Sequence, residues 1–263
     1  MEIVGYFFSF IIGITLGLFG SGGSILMVPV MVYIFKIEAS NATYFSLFIV
    51  GITSLIGAIR YYINKLISFS TLILFSIPSA IGVLFARKIL LPFIPEHIGT
   101  IQNLAITKNF FLMILFALLM ISAAFFMIRG VKTTSPKSSI SKQRFTILFV
   151  GFLVGILTGL IGAGGGFIII PALIFLLNFD MKSAVGTSLS IICINTLVGF
   201  FSDLNYQQTP WGFLISICLV AIFGIIIGSK LIQRIQGEKL KPYFGGFILI
   251  LGIYIIINEI FLQ

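Results

Sequence analysis

Residues 13–29 read G-I-T-L-G-L-F-G-S-G-G-S-I-L-M-V-P, and residues 155–171 read G-I-L-T-G-L-I-G-A-G-G-G-F-I-I-I-P. The offset is 155 minus 13, or 142 positions, and six Gly or Pro pairs keep it: Gly13/Gly155, Gly17/Gly159, Gly20/Gly162, Gly22/Gly164, Gly23/Gly165 and Pro29/Pro171. A repeated apolar segment interrupted by glycine is a sequence pointer to the binding site of a secondary transporter. Outward from the motif the offset persists without a gap from Phe10/Phe152 to Lys88/Lys230, through Ala42/Ala184, Ser46/Ser188, Leu47/Leu189, Gly57/Gly199 and Gly82/Gly224. The first half then carries extra residues, beginning L-P-F-I-P-E-H-I-G-T, before its last apolar run.

Composition sets the solvent. Hydrophobic residues are 59% of the 263 and charged residues 9%, where a soluble domain carries about a quarter charged. The runs do not alternate apolar and polar residues, which excludes barrel strands. The fold expected is an all-α polytopic membrane protein with the lipid bilayer as partner. The net charge of +9 does not indicate nucleic acid, because the Lys and Arg lie between apolar runs and act as topology determinants. Cys193 and Cys218 lie inside apolar runs without metal-ligand spacing and read as small buried residues. The chain enters an apolar stretch from Met1 without a basic n-region, so the first segment is read as a membrane helix, not a removed signal.

Apolar segments fall at about 3–18, 25–35, 41–63, 68–86 and 110–128, then at about 145–161, 167–177, 183–202, 211–229 and 242–258. The organisation expected is an N-terminal repeat over 1–128, a basic cytoplasmic linker over 129–144 and a C-terminal repeat over 145–263. The second segment of each half is too short to span: eleven helical residues reach roughly 16 Å against a hydrocarbon core of about 30 Å. Each half is therefore read as a Gly-broken hairpin of short helices followed by three membrane helices. If each hairpin returns to its starting side, only Lys36, Arg87, Lys88 and Lys108 of the 16 Lys and Arg lie outside, leaving 12 inside. A single crossing per hairpin leaves the two sides nearly even, so the positive-inside rule favours the first arrangement and makes the halves inverted repeats.

Inverted repeats would bring the two Gly-rich turns together near the midplane. The candidate binding residues are Gly20, Ser21, Gly22, Gly23 and Ser24 in one turn and Gly162, Ala163, Gly164, Gly165 and Gly166 in the other. Each turn leads into a short helix, whose start offers N–H groups and a partial positive charge. Glycine lets successive N–H groups converge on an anion, so two such ends could hold a small anion without a buried Lys or Arg. Close helix packing through Gly13-x-x-x-Gly17 and Gly155-x-x-x-Gly159 is the competing explanation. Thr43, Ser46, Thr187 and Ser188 could add hydroxyl donors, although Ser and Thr in helices also bond their own backbone. Asn195 is a mid-helix amide and needs a neighbour or a cavity. Asn41 and Ser183 read as N-caps. All seven carboxylates fall at segment ends or in loops, and His97 is the only histidine. No proton relay, nucleophile–base pair or metal-ligand cluster is visible, so an enzyme, a metal and a cofactor are not expected. An anion channel with the same turns as its filter stays open as an alternative. Oligomeric state is left undetermined.

The G-L-F-G-S-G-G-S and G-L-I-G-A-G-G-G segments with their prolines, and S-A-V-G-T-S-L at 183–189, resemble the TauE/SafE family of sulfite exporters. The resemblance covers nearly the whole chain. It implies a plasma-membrane permease for small sulfur-containing anions such as sulfite or organosulfonates. The first half departs from the pattern, with Asn41-Ala42-Thr43-Tyr44-Phe45-Ser46 in place of the A-V-G-T-S form, which implies an asymmetric site.

Overall fold

The computed structural model describes residues 2–20, 22–101, 104–129, 140–162, 164–177, 179–203, 209–231 and 237–261. Most of the expected linker, with Ser21 and Ala163, lies outside the described residues. Among them are ten helices: α1 Glu2–Phe19, α2 over 22–34, α3 Ala39–Ile63, α4 Phe69–Phe93, α5 Lys108–Arg129, α6 Ile140–Ile161, α7 Gly166–Leu177, α8 Met181–Ser202, α9 Trp211–Leu231 and α10 Gly237–Phe261. Four of them, α3, α4, α8 and α9, are long and apolar enough to cross a membrane. The expected segment order holds, including the short α2 and α7. The extra residues of the first half form a two-stranded antiparallel ribbon, β1 His97–Ile101 with β2 Leu104–Thr107, that pairs Thr100 with Ala105.

Helices α3 and α8 are the centre. In their apolar windows 67% and 72% of residues are buried, against 33% and 44% in α4 and α9. They run antiparallel: Leu47 packs on Gly199, and Leu189 packs on Gly57. Helix α1 packs on α9, α4 on α6, and α5 on α10, while α4 also meets α8 and α9 also meets α3. The outer faces of α4 and α9 expose Ile73, Ile77, Ile81, Leu219 and Phe223. Such a surface suits lipid, where polar groups are the exception.

Glycines set the closest crossings. A Cβ at Gly13 would run into the Ala221 carbonyl of α9 and lie 3.0 Å from the Gly224 Cα. A Cβ at Gly155 would run into the Ser79 carbonyl of α4. The four-residue glycine spacing therefore brings helix backbones together, α1 onto α9 and α6 onto α4, as small residues do in membrane interfaces.

Local signals end the helices. α1 stops at Gly20 with φ of 65°, and α6 stops at Gly162 with φ of 74°, a region glycine enters without the Cβ penalty. In α2 the hydrogen-bond ladder is 3₁₀ over Gly22–Leu26 and widens to a π turn over Val30–Ile34, immediately after Pro29, which has no N–H to give. Pro171 instead sits within a regular α7.

The N-caps differ from those expected. Asp180, not Ser183, caps α8, its carboxylate accepting from the Ser183 N–H at 3.2 Å. Glu38, not Asn41, precedes α3, and its side chain makes no cap bond. Both helices begin a few residues earlier than the apolar pattern suggests, because a cap acts before the buried face starts. Asp180 is held below the usual carboxylate range, first by the bond with Ser183. That contribution is complete above the ordinary carboxylate pKa and fades as pH falls through the lowered value. Asp180→Ala is expected to cost about 1 kcal/mol. The difference from wild type in thermal unfolding midpoint should be constant near neutrality and shrink only below about pH 4.

Candidate functional site

The two glycine turns lie against the two central helices. A Cβ at Gly20 would sit 2.7 Å from Val185 Cγ1 on α8, and one at Gly162 would run into the Thr43 carbonyl on α3. Gly186, next to Val185, packs on Tyr61. Thr43 and Tyr61 are separated by roughly 27 Å of helix, so Gly20 and Gly162 sit toward opposite ends of the α3/α8 pair. Gly164 (φ of 73°) packs midway along the pair, where a Cβ would lie 2.9 Å from Ile192, 3.0 Å from Val50 and 3.3 Å from Thr196. The segment Gly22–Leu26 packs directly on α7. Gly20 and Gly162 thus lie toward opposite ends of the central pair, while Gly22–Leu26 of the first turn is a neighbour of α7, the helix that the second turn starts.

Gly23 and Gly165 turn back on their own hairpins. A Cβ at Gly23 would meet the Leu16 N–H at 2.5 Å, and one at Gly165 would collide with the Thr158 hydroxyl. Both allow the short helix to fold tightly on the helix before it. Ser24 is fully buried. Gly166 begins α7, and the Ile169 N–H donates to the Gly165 carbonyl at 3.1 Å.

The hydroxyls are mostly committed to backbone. Ser46 Oγ lies 2.7 Å from the Gly162 carbonyl and 2.8 Å from that of Thr43, so it ties the second turn to α3. Thr43 Oγ1 donates to Ser40 O at 2.7 Å and Ser188 Oγ to Val185 O at 2.9 Å. Thr187 Oγ1 accepts from the Ser68 N–H at 3.2 Å and pins the α3–α4 connection. Asn195 donates from Nδ2 to Ser79 Oγ on α4 at 2.6 Å, and its Oδ1 is buried without a partner among the described residues.

Charge is where the sequence misleads. Arg87 reads as a loop residue, yet it is 3% exposed within a π turn of α4, Ala86–Leu90. Its Nη1 lies 3.4 Å from Asp203 Oδ2 at the end of α8. A buried arginine is present after all. Glu259 is also buried, accepting from the Tyr33 hydroxyl at 3.0 Å across α2 and α10. Neither partner is near in sequence. No group of three or more His, Cys, Asp or Glu that could hold a metal occurs among the described residues.

Residues 6–255 match the family described as sulfite exporter TauE/SafE. The chain is 27% identical to a probable membrane transporter protein of Xylella fastidiosa (strain Temecula1), over 94% of this chain and 91% of that one. It is 24% identical to the probable membrane transporter protein YunE of Bacillus subtilis (strain 168), over 96% and 99%. It is 34% identical to the probable membrane transporter protein MJ0441 of Methanocaldococcus jannaschii, over 41% and 43%. No solved structure matches. A helical chain with membrane-length central helices, matched along almost its full length by one family, is a multi-pass membrane protein and a transporter, not an enzyme: it belongs to the TauE/SafE sulfite exporter family.

Proposed function

We propose that the protein exports small sulfur-containing oxyanions, sulfite or organosulfonates, across the plasma membrane, binding them between the two glycine turns. The observation that carries this reading is twofold: Gly22–Leu26 packs on α7, the short helix that the second turn starts, and Gly164 of that turn packs halfway along the antiparallel α3/α8 pair. Irregular backbone is kept at such depth only where it is packed in protein or lines a cavity. Helix starts at that place offer N–H groups and positive dipole ends to an anion. The binding set is Gly20 to Ser24 and Gly162 to Gly166, with Thr43, Ser46, Thr187, Ser188 and Asn195 around them. Thr43, Ser46 and Ser188 hold the turns and helices through bonds to backbone carbonyls, and Asn195 has a second N–H on Nδ2 to give to an anion.

The helix packing supports the duplicated plan. Exchanging one half for the other turns the α1–α9 contact into α6–α4 and the α3–α9 contact into α8–α4, while α3–α8 and α5–α10 map onto themselves. Because α3 and α8 are antiparallel, the halves point oppositely, and rocking of one against the other gives alternating access. Arg87 is engaged in an ion pair, so it drops out of the loop charges. Only Lys36, Lys88 and Lys108 then oppose the 12 cations on the side of the linker, which favours a cytoplasmic linker.

The test is flux in proteoliposomes of radiolabelled sulfite, thiosulfate, sulfoacetate and taurine, with and without a pH gradient. Saturable movement of at least one sulfur anion is expected. Large unitary currents would make the protein a channel, and no flux of any of the four would overturn the reading.

A further inference from the structure

The guanidinium of Arg87 is only half used. Arginine carries five N–H donors. One Nη1 contact at 3.4 Å reaches Asp203, while Nε and Nη2 are buried without a protein partner among the described residues. Those two nitrogens form one edge of the planar group, the edge that grips two oxygens of one carboxylate, phosphate or sulfonate in parallel. Arg60, near the opposite end of α3, is spent differently: its Nη1 donates to Ser229 Oγ at 2.7 Å and to the Ile226 carbonyl at 2.9 Å. Leaving buried donors unpaired costs about 1–3 kcal/mol each. A protein that keeps two of them on one charged edge is poised for a ligand that fills it.

The surroundings place Arg87 in the neighbourhood of the second glycine turn. Ala86, next to Arg87, packs on Gly159, one turn before Gly162. Tyr44 follows Thr43, which packs on Gly162, and stacks on Phe200 at 4.8 Å, one turn before Asp203. The side chain of Asp203 is 27% exposed and that of Arg87 only 1%. The carboxylate is thus the water-accessible member of the pair, and it also accepts from Ser202 Oγ at 3.3 Å. Its contact with Arg87 is longer than a good charge-assisted bond of about 2.7–2.9 Å. It steers the guanidinium without saturating it.

We propose that the Nε/Nη2 edge of Arg87 is a binding site for the oxyanion cargo, where α4, the end of α8 and the start of α3 meet, with Asp203 as the positioning carboxylate. The inference rests on the reading that the cargo is an oxyanion; it adds a side-chain cation site to the backbone site at the turns. A cargo with two or three oxygens on one sulfur fits the fork, and a halide does not. The anion would dock on Arg87 on its way to or from the turn at Gly162.

The test follows the thermal unfolding midpoint of the purified protein in detergent as sulfite is added, at ionic strength held constant with sodium chloride. A ligand that binds only the folded state raises the midpoint saturably. Arg87→Lys keeps the charge and removes the fork, and its half-saturating sulfite concentration is expected to rise at least tenfold. Asp203→Asn keeps a hydrogen-bonding oxygen beside Arg87 and removes the negative charge that competes with the anion, so its half-saturating sulfite concentration should fall. An Arg87→Lys protein that folds and responds like wild type would overturn the proposal. So would Asp203→Asn weakening binding as much as Arg87→Lys, the result expected of a purely structural ion pair. If Gly164→Leu leaves binding and flux intact while Arg87→Lys weakens both, the backbone site fails and the arginine site stands. If Gly164→Leu abolishes them while Arg87→Lys does nothing, the arginine site fails alone. A wild-type protein unmoved by sulfite, sulfate and taurine would sink both.

Discussion

Gly164→Leu is expected to reduce anion flux below detection while the protein still inserts and purifies as a single species. At φ of 73° a side chain carries a left-handed penalty, on the order of 1–2 kcal/mol. The first added carbon would lie 2.9 Å from Ile192 Cγ2 and 3.0 Å from Val50 Cγ1, contacts that call for shifts of a few tenths of an ångström in stiff β-branched neighbours, not for moving backbone. The remaining atoms of leucine would wedge between α3 and α8. Overpacking of this kind costs roughly 1–3 kcal/mol, less than the stability of a typical fold, about 5–15 kcal/mol. The fold should therefore survive, while the space around Gly164 is filled. Gly164→Ala, which adds one carbon at the same φ, should keep part of the activity. Near-normal flux in Gly164→Leu would show that cargo does not pass between the turns.

The second large effect falls on assembly. Gly155→Val is expected to abolish folded, monodisperse protein. Its new side chain would press on the backbone of Ser79, including Cα at 2.8 Å, and backbone cannot rotate out of the way. The contact is mutual, since a Cβ on Gly82 of α4 would lie 2.9 Å from the Ile156 N–H. Separating α4 from α6 also moves Ser79 off Asn195, leaving a buried amide without its hydrogen bond. Lipid offers no hydrophobic drive to restore the contact, because helix association there depends on close packing. Fluorescence-detected size-exclusion of a tagged protein measures the loss. Gly246→Val is the control, since a Cβ there meets nothing within 4 Å; it should elute as wild type. A well-folded Gly155→Val would mean that α4 and α6 tolerate a wider spacing than the glycines indicate.

These two variants separate the roles that one motif combines. Gly13, Gly17, Gly155 and Gly159 are packing glycines whose partners are α9 and α4. Gly20, Gly162, Gly164 and Gly165 are conformational glycines, all at positive φ. In the sequence both kinds are simply glycine at a fixed offset. The spacing of four marks the first kind, and the dense run after it marks the second.

What the chain alone determined is the set of helices and their interruptions: ten apolar segments in order, the short second and seventh among them, and turns at Gly20 and Gly162. Those features depend on backbone preference and apolar run length, which act over a few neighbouring residues. Tertiary structure decided everything that depends on which helix lies beside which. It drew Arg87 from an expected loop into a buried pair with Asp203, 116 positions away, and it spent Ser46 on the Gly162 carbonyl, also 116 positions away. It set Gly20 against Val185 and Gly162 against Thr43, toward opposite ends of the central pair. A side chain's local sequence states what it can bond; only the crossing of distant helices states what it meets, and in a medium without water that meeting sets whether a charge is satisfied or left ready for an anion.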